Sequence, residues 1–284
     1  MSVFLGVLAI IGSIAIIMAI LAIAFKPSSI YKNKPKEKNS LEGKQVRFVA
    51  DITECENADG VRGHLEPMGD TVHHEGLYER VFKRIIDILL SFCGIVLLSP
   101  LFLFISLWII IDDPGPVLFT QKRMGKNKQY FKLHKFRSMK MSTPHDKPTH
   151  MLENPEQYIT TSGKFIRSHS LDELPQIWDI FIGNMSVIGP RPGLWNQDLL
   201  TAERDKYGAN EIKPGLTGWA QINGRDELEI PEKAKLDGEY AKNMSFAMDC
   251  KCFLRSLGVF GGDGTVVEGG TGAKNRKNLS EEQE

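Results

Sequence analysis

Two long uncharged runs dominate the pattern of hydrophobic and polar positions along the chain. The first covers 23 residues from Val3 to Phe25, and the second covers 24 residues from Ile88 to Ile111. A helix rises about 1.5 Å per residue, so either run is long enough to cross a bilayer core of about 30 Å. The first run is longer than the apolar region of a cleaved signal peptide and has no Lys or Arg before it. We therefore predict a retained transmembrane anchor in residues 1–25.

The second run, which we assign to a membrane helix in residues 80–112, poses a conflict of orientation. Eleven Lys and Arg residues lie in positions 26–84, and eleven more lie in positions 112–170. Basic flanks favour the cytoplasmic face, so both ends of the run are expected on one side of the membrane. A hinge at Ser99 and Pro100 would allow this, because proline removes a backbone hydrogen bond and serine can satisfy the freed carbonyl. A kinked helix that crosses the membrane is the alternative.

Shorter patterns in residues 113–258 predict the elements of a globular domain. Two apolar stretches, 117–121 and 130–134, flank a turn at 125–128 and predict a β-hairpin. Apolar residues at helical spacing predict helices within 171–182, 194–207 and 232–257.

The segments on either side of these regions are strongly polar. Residues 26–79 are predicted to be a cytosolic linker, in which 26–47 hold seven basic side chains and 51–79 hold eight acidic ones. The basic part suits a membrane surface, and residues 45–49 could form a short strand. Residues 259–284 are rich in Gly and then in charge, which predicts a flexible tail.

Composition narrows the function classes. The 284 residues include 35 Lys and Arg against 35 Asp and Glu, and this zero net charge excludes a generally basic nucleic-acid-binding protein. Four scattered cysteines are too few for a disulfide scaffold. The sequence has no Walker loop, dinucleotide-binding glycine pattern or metal-binding histidine cluster.

The segment around Asp172 holds the most informative side chains. Ser170 and Glu173 have the spacing of a capping box, which would be a purely structural device. The same position at a helix N-terminus also suits an anion, and Arg167 lies close by in the sequence. Two carboxylates beside a phosphate require a divalent cation or arginines for neutralisation. Both interpretations are open from these residues alone.

Other basic residues follow the predicted hairpin or lie at turns marked by Gly or Pro. A rigid backbone presents such a side chain to a phosphate at low entropic cost, although each residue by itself also fits a surface charge. These residues are Lys135, Arg137, Arg191, Lys213 and Arg225.

Seven motifs occur in a fixed order between about Tyr78 and Leu257. They are Lys83-Arg84-x-x-Asp87, Ser99-Pro100, Asp113-Pro114-Gly115-Pro116-Val117, Lys135-Phe136-Arg137-Ser138-Met139, Ser170-Leu171-Asp172-Glu173-Leu174-Pro175-Gln176, Met185-Ser186-Val187-Ile188-Gly189-Pro190-Arg191-Pro192, and the stretch from Lys213 to Arg225. In this order they resemble the monotopic phosphoglycosyl transferases, also called bacterial sugar transferases. The chain departs from that family's smallest members by about 77 preceding residues, and from its common pattern at Ser138, where threonine is usual.

The resemblance implies an α+β membrane protein of the bacterial inner membrane. Its membrane helix would be re-entrant, with the hinge at Ser99 and Pro100, and its mostly helical catalytic domain would be cytoplasmic. The resemblance also implies that Asp172 is the nucleophile and that Glu173 is a ligand of Mg²⁺. The phosphate-binding residues that it implies are Arg167, Arg191 and Arg225, with Lys135 and Arg137 as further candidates.

The implied reaction has two steps. Asp172 attacks the β-phosphorus of a UDP-sugar and releases UMP, and polyprenyl (undecaprenyl) phosphate then takes the phosphosugar from the enzyme. The product would begin the assembly of a surface glycan, an exopolysaccharide or glycoconjugate, with downstream glycosyltransferases as possible partners. Two alternatives are a membrane scaffold of glycan assembly without catalytic activity and a nucleotide-sugar phosphohydrolase that uses water as the acceptor.

Overall fold

A computed structural model describes residues 38–71, 73–143, 155–224 and 228–259. The anchor predicted for residues 1–25 lies outside the described residues, as do residues 260–284 of the predicted tail and Arg225.

The described residues form an α+β fold, as the sequence predicts. The strands are β1 (Lys44–Ala50), β2 (Gly63–Asp70), β3 (Leu118–Met124), β4 (Tyr130–Phe136), β5 (Ser186–Ile188) and β6 (Gly215–Thr217). The α-helices are α1 (Lys83–Asp112), α2 (Thr161–Ser168), α3 (Gln176–Ile182), α4 (Asp198–Asp205), α5 (Trp219–Ile222), α6 (Ile230–Lys242) and α7 (Phe246–Val259). A π-helix over Tyr78–Phe82 leads directly into α1.

The strands pair only two by two. β3 and β4 are antiparallel, from the pair Leu118 and Phe136 to the pair Met124 and Tyr130, which confirms the predicted hairpin. β1 and β2 form a second antiparallel pair, and β5 and β6 form a short parallel pair. The sheets are small, and the helices make most of the fold.

Part of the segment predicted to be a linker is folded. β1 and β2 pair from Lys44 opposite Asp70 to Ala50 opposite Gly63. Within β1 only Val46 is buried, and its backbone N–H donates to Asp205 Oδ2 of α4 at 2.8 Å. β1 confirms the short strand that the sequence allowed at residues 45–49. The sequence does not reveal its partner β2 or the docking of the hairpin, because the hairpin docks through a backbone group and a distant carboxylate rather than through an alternating apolar face.

Two of the predicted helices are divided in the structure. The stretch 171–182 contains a 3₁₀ turn over Leu171–Glu173, and α3 begins only at Gln176 after Pro175. The stretch 232–257 contains α6 and α7, which are separated after Lys242. The third stretch, 194–207, contains α4 as predicted. Apolar spacing continued across both breaks, so periodicity alone did not reveal them.

The described residues contain one helix that is long and apolar enough to cross a membrane. It extends from Tyr78 to Asp112, and its most apolar window has a mean hydropathy of 2.7. The secondary structure continues through Pro100, and Ser99 Oγ donates to the carbonyl of Val96 at 2.8 Å. The hinge at Ser99 and Pro100 therefore stays a prediction.

One face of α1 packs on the globular domain along its whole length. The buried residues of this face are Lys83, Asp87, Ser91, Ile95, Phe102, Ile105 and Ile109. The last three of these join Phe136 of β4 and Ile166 of α2 in one core cluster. The opposite face exposes large apolar side chains, including Leu97 and Ile111, which are 77% and 80% accessible.

Charged groups bind both ends of α1 to the same domain. At the start of the helix, Lys83 Nζ donates to Tyr240 Oη at 3.0 Å and pairs with Asp249 Oδ2 at 2.5 Å. At its end, Asp112 Oδ2 accepts hydrogen bonds from the backbone N–H and the hydroxyl of Ser162, each at 2.7 Å. Both ends of this apolar helix therefore meet polar parts of one globular unit.

Candidate active site

A sharp turn after α2 positions the two carboxylates. Ser170 adopts the left-handed conformation, with φ 53° and ψ 23°, and the 3₁₀ turn that carries Asp172 and Glu173 follows it directly. The predicted capping box is wrong, since the Ser170 side chain makes no capping bond. A capping residue needs an extended backbone, which the left-handed turn at Ser170 does not provide.

The carboxylate of Glu173 instead joins two basic side chains. Lys135 Nζ donates to Glu173 Oε1 at 2.8 Å and lies 3.6 Å from Asp172 Oδ2. Arg191 forms a bidentate pair with Glu173, with 2.6 Å from Nη2 to Oε1 and 3.2 Å from Nη1 to Oε2. Asp172 itself is 3% accessible. Four of the side chains that the sequence singled out thus form one compact charged cluster.

The electrostatics of the cluster keep Glu173 ionised. Burial by itself opposes ionisation, but the nearby charges of Arg191 and Lys135 outweigh it and hold the pKa of Glu173 well below its usual range. The side chain of Arg191 is 29% accessible, so its guanidinium lies at the boundary between the buried pair and the solvent.

Neighbouring elements hold the two basic residues in place. Lys135 lies on β4 beside the buried Phe136. Arg191 lies between Pro190 and Pro192 just after β5, where the prolines restrict the backbone as the sequence predicts. The carbonyl of Arg191 also accepts a hydrogen bond from Arg204 Nη2 at 2.9 Å.

The charged cluster lies next to the apolar helix. Leu171 and Leu174 flank the Asp172–Glu173 pair, and both pack on the core cluster to which α1 contributes Phe102, Ile105 and Ile109. The two carboxylates therefore lie between basic side chains and the apolar core cluster under α1.

The structure places the remaining candidates elsewhere or leaves them undescribed. Arg137 is buried and binds the side chain and the carbonyl of Asp113, so it secures the end of α1. Burial lowers the pKa of Arg137, and the charge of Asp113 opposes that shift.

Arg167 is half-buried in the last turn of α2, and its Nη1 atom is buried without a hydrogen-bond partner in the part of the chain that is described. Arg225 lies outside that part, and the phosphate-binding role of Arg137, Arg167 and Arg225 stays a prediction.

Arg204 is a residue of the site's surroundings that sequence reasoning missed. It is buried on α4, where it pairs with Asp237 at 2.6 Å and also holds the Arg191 carbonyl. The sequence did contain a sign of this role. Arg204 lies four residues after Leu200, and this spacing places a charged residue on the buried face of a helix.

The described residues contain no group of three or more His, Cys, Asp or Glu side chains arranged for a metal ion. Sites for Mg²⁺ often use only one or two carboxylates and complete the coordination with water and substrate phosphates. The carboxylate of Glu173 fits that smaller donor set, because the neighbouring cations keep its pKa low and the group ionised.

The family model described as bacterial sugar transferase matches residues 78–262, more than half of the chain. This protein therefore belongs to the bacterial sugar transferase family.

Individual relatives carry more specific names. The UDP-glucose:undecaprenyl-phosphate glucose-1-phosphate transferase of Escherichia coli (strain K12) is 38% identical over 190 residues, which are 64% of this chain and 40% of that protein. The UDP-N-acetylgalactosamine-undecaprenyl-phosphate N-acetylgalactosaminephosphotransferase of Aeromonas hydrophila is 37% identical over 62% of this chain and 42% of its own length. The exopolysaccharide production protein PSS of Rhizobium leguminosarum bv. phaseoli is 35% identical over 62% of this chain and 94% of its own length. The chain thus matches less than half of the length of the two named transferases.

Proposed function

We propose that this protein is a phosphoglycosyl transferase that moves a sugar-1-phosphate from a UDP-sugar to undecaprenyl phosphate or a similar polyprenyl phosphate. Family membership and the names of the relatives support this class of reaction. The observation that carries the proposal is the buried Asp172–Glu173 pair, which faces Lys135 and Arg191 and borders the apolar helix α1. Such a site suits two phosphate substrates, one of which is a lipid.

In the first step, a carboxylate oxygen of Asp172 forms a bond to the β-phosphorus of the UDP-sugar. The bond from that phosphorus to the bridging oxygen breaks, and UMP leaves with that oxygen and its electron pair. Lys135, at 3.6 Å from Asp172 Oδ2, supplies positive charge beside the atom that attacks. Arg191 and Arg167 would bind the diphosphate oxygens.

In the second step, a phosphate oxygen of the polyprenyl phosphate attacks the same phosphorus and releases the carboxylate of Asp172. The product is a polyprenyl diphosphate sugar, and the enzyme returns to its starting state. Direct contact between the two polyanionic substrates would be unfavourable, so a covalent intermediate allows one cationic site to handle them in turn.

We assign Glu173 as the residue that would hold Mg²⁺. Its ionised carboxylate is a hard oxygen ligand of the type that Mg²⁺ prefers, and substrate phosphates would complete the coordination. The bound cation would neutralise charge on the phosphoryl oxygens. The oxygens of Glu173 now accept from Lys135 and Arg191, so substrate phosphates would compete for these two cations when they enter.

We also propose that α1 is re-entrant, with its hinge at Ser99 and Pro100, and that the domain lies on the cytoplasmic side of the inner membrane. The binding of both helix ends to one globular domain supports this topology. Helix α7 adds exposed apolar side chains at Phe246, Phe253 and Leu257, and its Asp249 contacts the start of α1. A protein that lies in one leaflet would bring its carboxylates to the level of a lipid phosphate.

The test is UMP release by the full-length protein in nanodiscs with Mg²⁺ and a panel of UDP-sugars, with and without undecaprenyl phosphate. We expect one donor to give sustained release that depends on the lipid. Asp172→Ala should reduce this rate by at least about a thousandfold, because it removes the attacking carboxylate and the neighbouring Glu173 is already paired with Lys135 and Arg191. Asp70→Ala, which removes an exposed carboxylate at the end of β2, is the matched control and should retain the rate.

Three results would contradict the proposal. Release that is equally fast without lipid would indicate a phosphohydrolase that uses water. Full activity of Asp172→Ala would exclude the covalent step at that residue. If the purified protein turns over none of the donors and the Asp172→Ala variant still supports glycan assembly in cells, the protein would be a scaffold.

A further inference from the structure

Helix α4 begins without a capping bond from its own preceding residue. The Gln197 side chain makes no such bond at the helix start, and its Oε1 accepts from the backbone N–H of Leu194 at 2.7 Å. Asp59, in the loop between β1 and β2, provides the missing acceptor, because its Oδ2 accepts from the N–H of Leu200 at 3.2 Å. Leu200 carries one of the first amides of the helix, which have no partner within it. The hairpin thus caps α4 from outside.

Two more contacts join the hairpin to the ends of α4. The N–H of the buried Ala58 donates to the carbonyl of Asn196 at 3.1 Å, just before the helix. At the other end of the helix, Asp205 Oδ2 accepts from the N–H of Val46. The hairpin therefore holds α4 at its first and last turns.

Helix α4 in turn holds the backbone of Arg191. Arg204, in its last turn, donates from Nη2 to the Arg191 carbonyl at 2.9 Å and from Nε to Asp237 Oδ2 at 2.8 Å. Arg204 is 5% accessible and Asp237, on α6, is 1% accessible, so this ion pair is buried between the two helices. The side chain of Arg191 then forms the bidentate pair with Glu173.

Strand β3 supports the same loop from the other side. Arg123 Nη1 donates to the carbonyl of Pro192 at 2.9 Å, and the N–H of Met124 donates to the carbonyl of Gly193 at 3.0 Å. When the hairpin contacts are lost, the loop should become more mobile and Arg191 should shift, but β3 should still hold the loop through these two hydrogen bonds.

We propose that the β1–β2 hairpin, which precedes the region matched by the family model, is a positioning element for phosphoryl transfer, and that Asp59 positions Arg191 through α4. The inference rests on the proposed function, because it assigns Arg191 to the substrate phosphates. Asp59 does not touch the reacting groups. It acts by keeping the first turn of α4 formed, so that Arg204 holds the Arg191 carbonyl in the geometry that the transition state requires.

The experiment compares Asp59→Ala with Asp59→Asn, Arg204→Lys and a matched control, Asp51→Ala, in the full-length protein in nanodiscs. Asp51 is a suitable control because its carboxylate accepts hydrogen bonds from Thr53 of the same loop, at 2.9 and 2.6 Å, rather than from α4. Hydrogen–deuterium exchange is measured for peptides that cover 189–197 and 198–205, together with kcat and KM for the UDP-sugar.

We expect Asp59→Ala to increase exchange in both peptides and to lower kcat about tenfold, because small misplacement of a charged group weakens the transition state. Asp59→Asn retains an acceptor oxygen and should restore most of the protection and of kcat. Arg204→Lys lacks the planar fork and should increase exchange in 189–197 while the first turn of α4 stays protected. Asp51→Ala should match the wild type. Since Arg204→Lys probes the second link separately, the test holds even if Asp59→Ala does not fold.

The proposal is overturned if Asp59→Ala frays only the first turn of α4 while kcat is unchanged, or if Asp51→Ala has the same effects as Asp59→Ala. A wild-type protein without transferase activity would refute the proposed function instead, and the exchange data would still decide whether Asp59 is coupled to the Arg191 loop.

Discussion

Glu173 shares its two carboxylate oxygens between an arginine and a lysine, and this arrangement has a defined pH signature. Arg191 and Lys135 hold the pKa of Glu173 well below its ordinary value of 4.5 despite burial. A carboxyl group whose pKa is lowered in the folded state stabilises the protein fully when the pH is above the pKa of that group in the unfolded state. This stabilisation is lost as the pH falls towards the pKa of the group in the folded state.

Glu173→Gln should therefore destabilise the protein at pH 7 by about 1–3 kcal/mol, since two partly buried cations lose their charged partner. The loss should be constant from pH 7 to about pH 5 and should shrink only below the unfolded pKa near 4.5. Thermal unfolding of both proteins across this range measures the difference. A loss that shrinks already between pH 7 and pH 6 would contradict the lowered pKa.

Lys135 contacts both carboxylates, and its charge can be removed with little change of shape. Lys135→Met should lower kcat about ten- to a hundredfold, because positive charge beside the nucleophile and the phosphates is lost. Lys132→Met is the matched control, since Lys132 lies exposed on the same strand, where it stands opposite Lys122 in the strand register. Equal rates for the two variants would exclude a catalytic contribution of the Lys135 charge.

Among the structural elements, the β1–β2 hairpin relies on the carboxylate of Asp205 for one of its contacts with the globular domain. Asp205 pairs with Lys128 Nζ at 2.9 Å and also accepts hydrogen bonds from the N–H of Val46 and from Asn210 Nδ2. Lys128 is completely buried, so this ion pair depends on both of its partners.

Lys128→Met should reduce the free energy of unfolding by about 3–5 kcal/mol, because it leaves the buried Asp205 carboxylate without its counter-charge. The control is Lys206→Met, at the position next to Asp205, which breaks the surface pair between Lys206 and Glu203. This substitution should reduce the free energy of unfolding by less than about 1 kcal/mol. Denaturant unfolding in detergent compares the two variants. Similar losses would show that burial of the Lys128 pair contributes nothing.

In the molecule as a whole, the proposed topology of α1 would determine which substrates can reach the carboxylates. Both helix ends contact one domain, whereas the face that includes Leu97 is not covered by any part of the chain that the structure describes. A helix that crossed the bilayer would separate its two ends by the membrane and would break one set of these contacts.

Single cysteines test this topology in a variant that lacks the four native thiols. Leu77→Cys and Met141→Cys, near the two ends of α1, should react with an impermeant maleimide in inside-out vesicles and not in right-side-out vesicles. Leu97→Cys should be unreactive in both, because lipid excludes the reagent. Reaction of the two terminal positions from opposite faces would contradict the re-entrant helix.

The local patterns of the sequence were sufficient to predict the apolar helix, the β3–β4 hairpin and the approximate position of α4. These features depend on neighbours within a few residues of one another, and such patterns can be read from periodicity and turn residues. The ordered motifs likewise pointed to the family and to Asp172 and Glu173. Pro175 was a signal for the break between the 3₁₀ turn and α3. The apolar spacing continues on both sides of it, and the sequence therefore predicted one continuous helix.

The partners of the charged residues could not be predicted in the same way. Lys135 and Arg191 lie 38 and 18 residues from Glu173 in sequence, and only the packing of β4 and the loop after β5 brings them to one carboxylate. Arg137, which belongs to the same motif as Lys135, binds Asp113 instead. A charge has no intrinsic preference among distant counter-charges, so the choice depends on burial and geometry in the folded chain. For the same reason, the docking of the β1–β2 hairpin on Asp205 follows from the fold and not from its own residues.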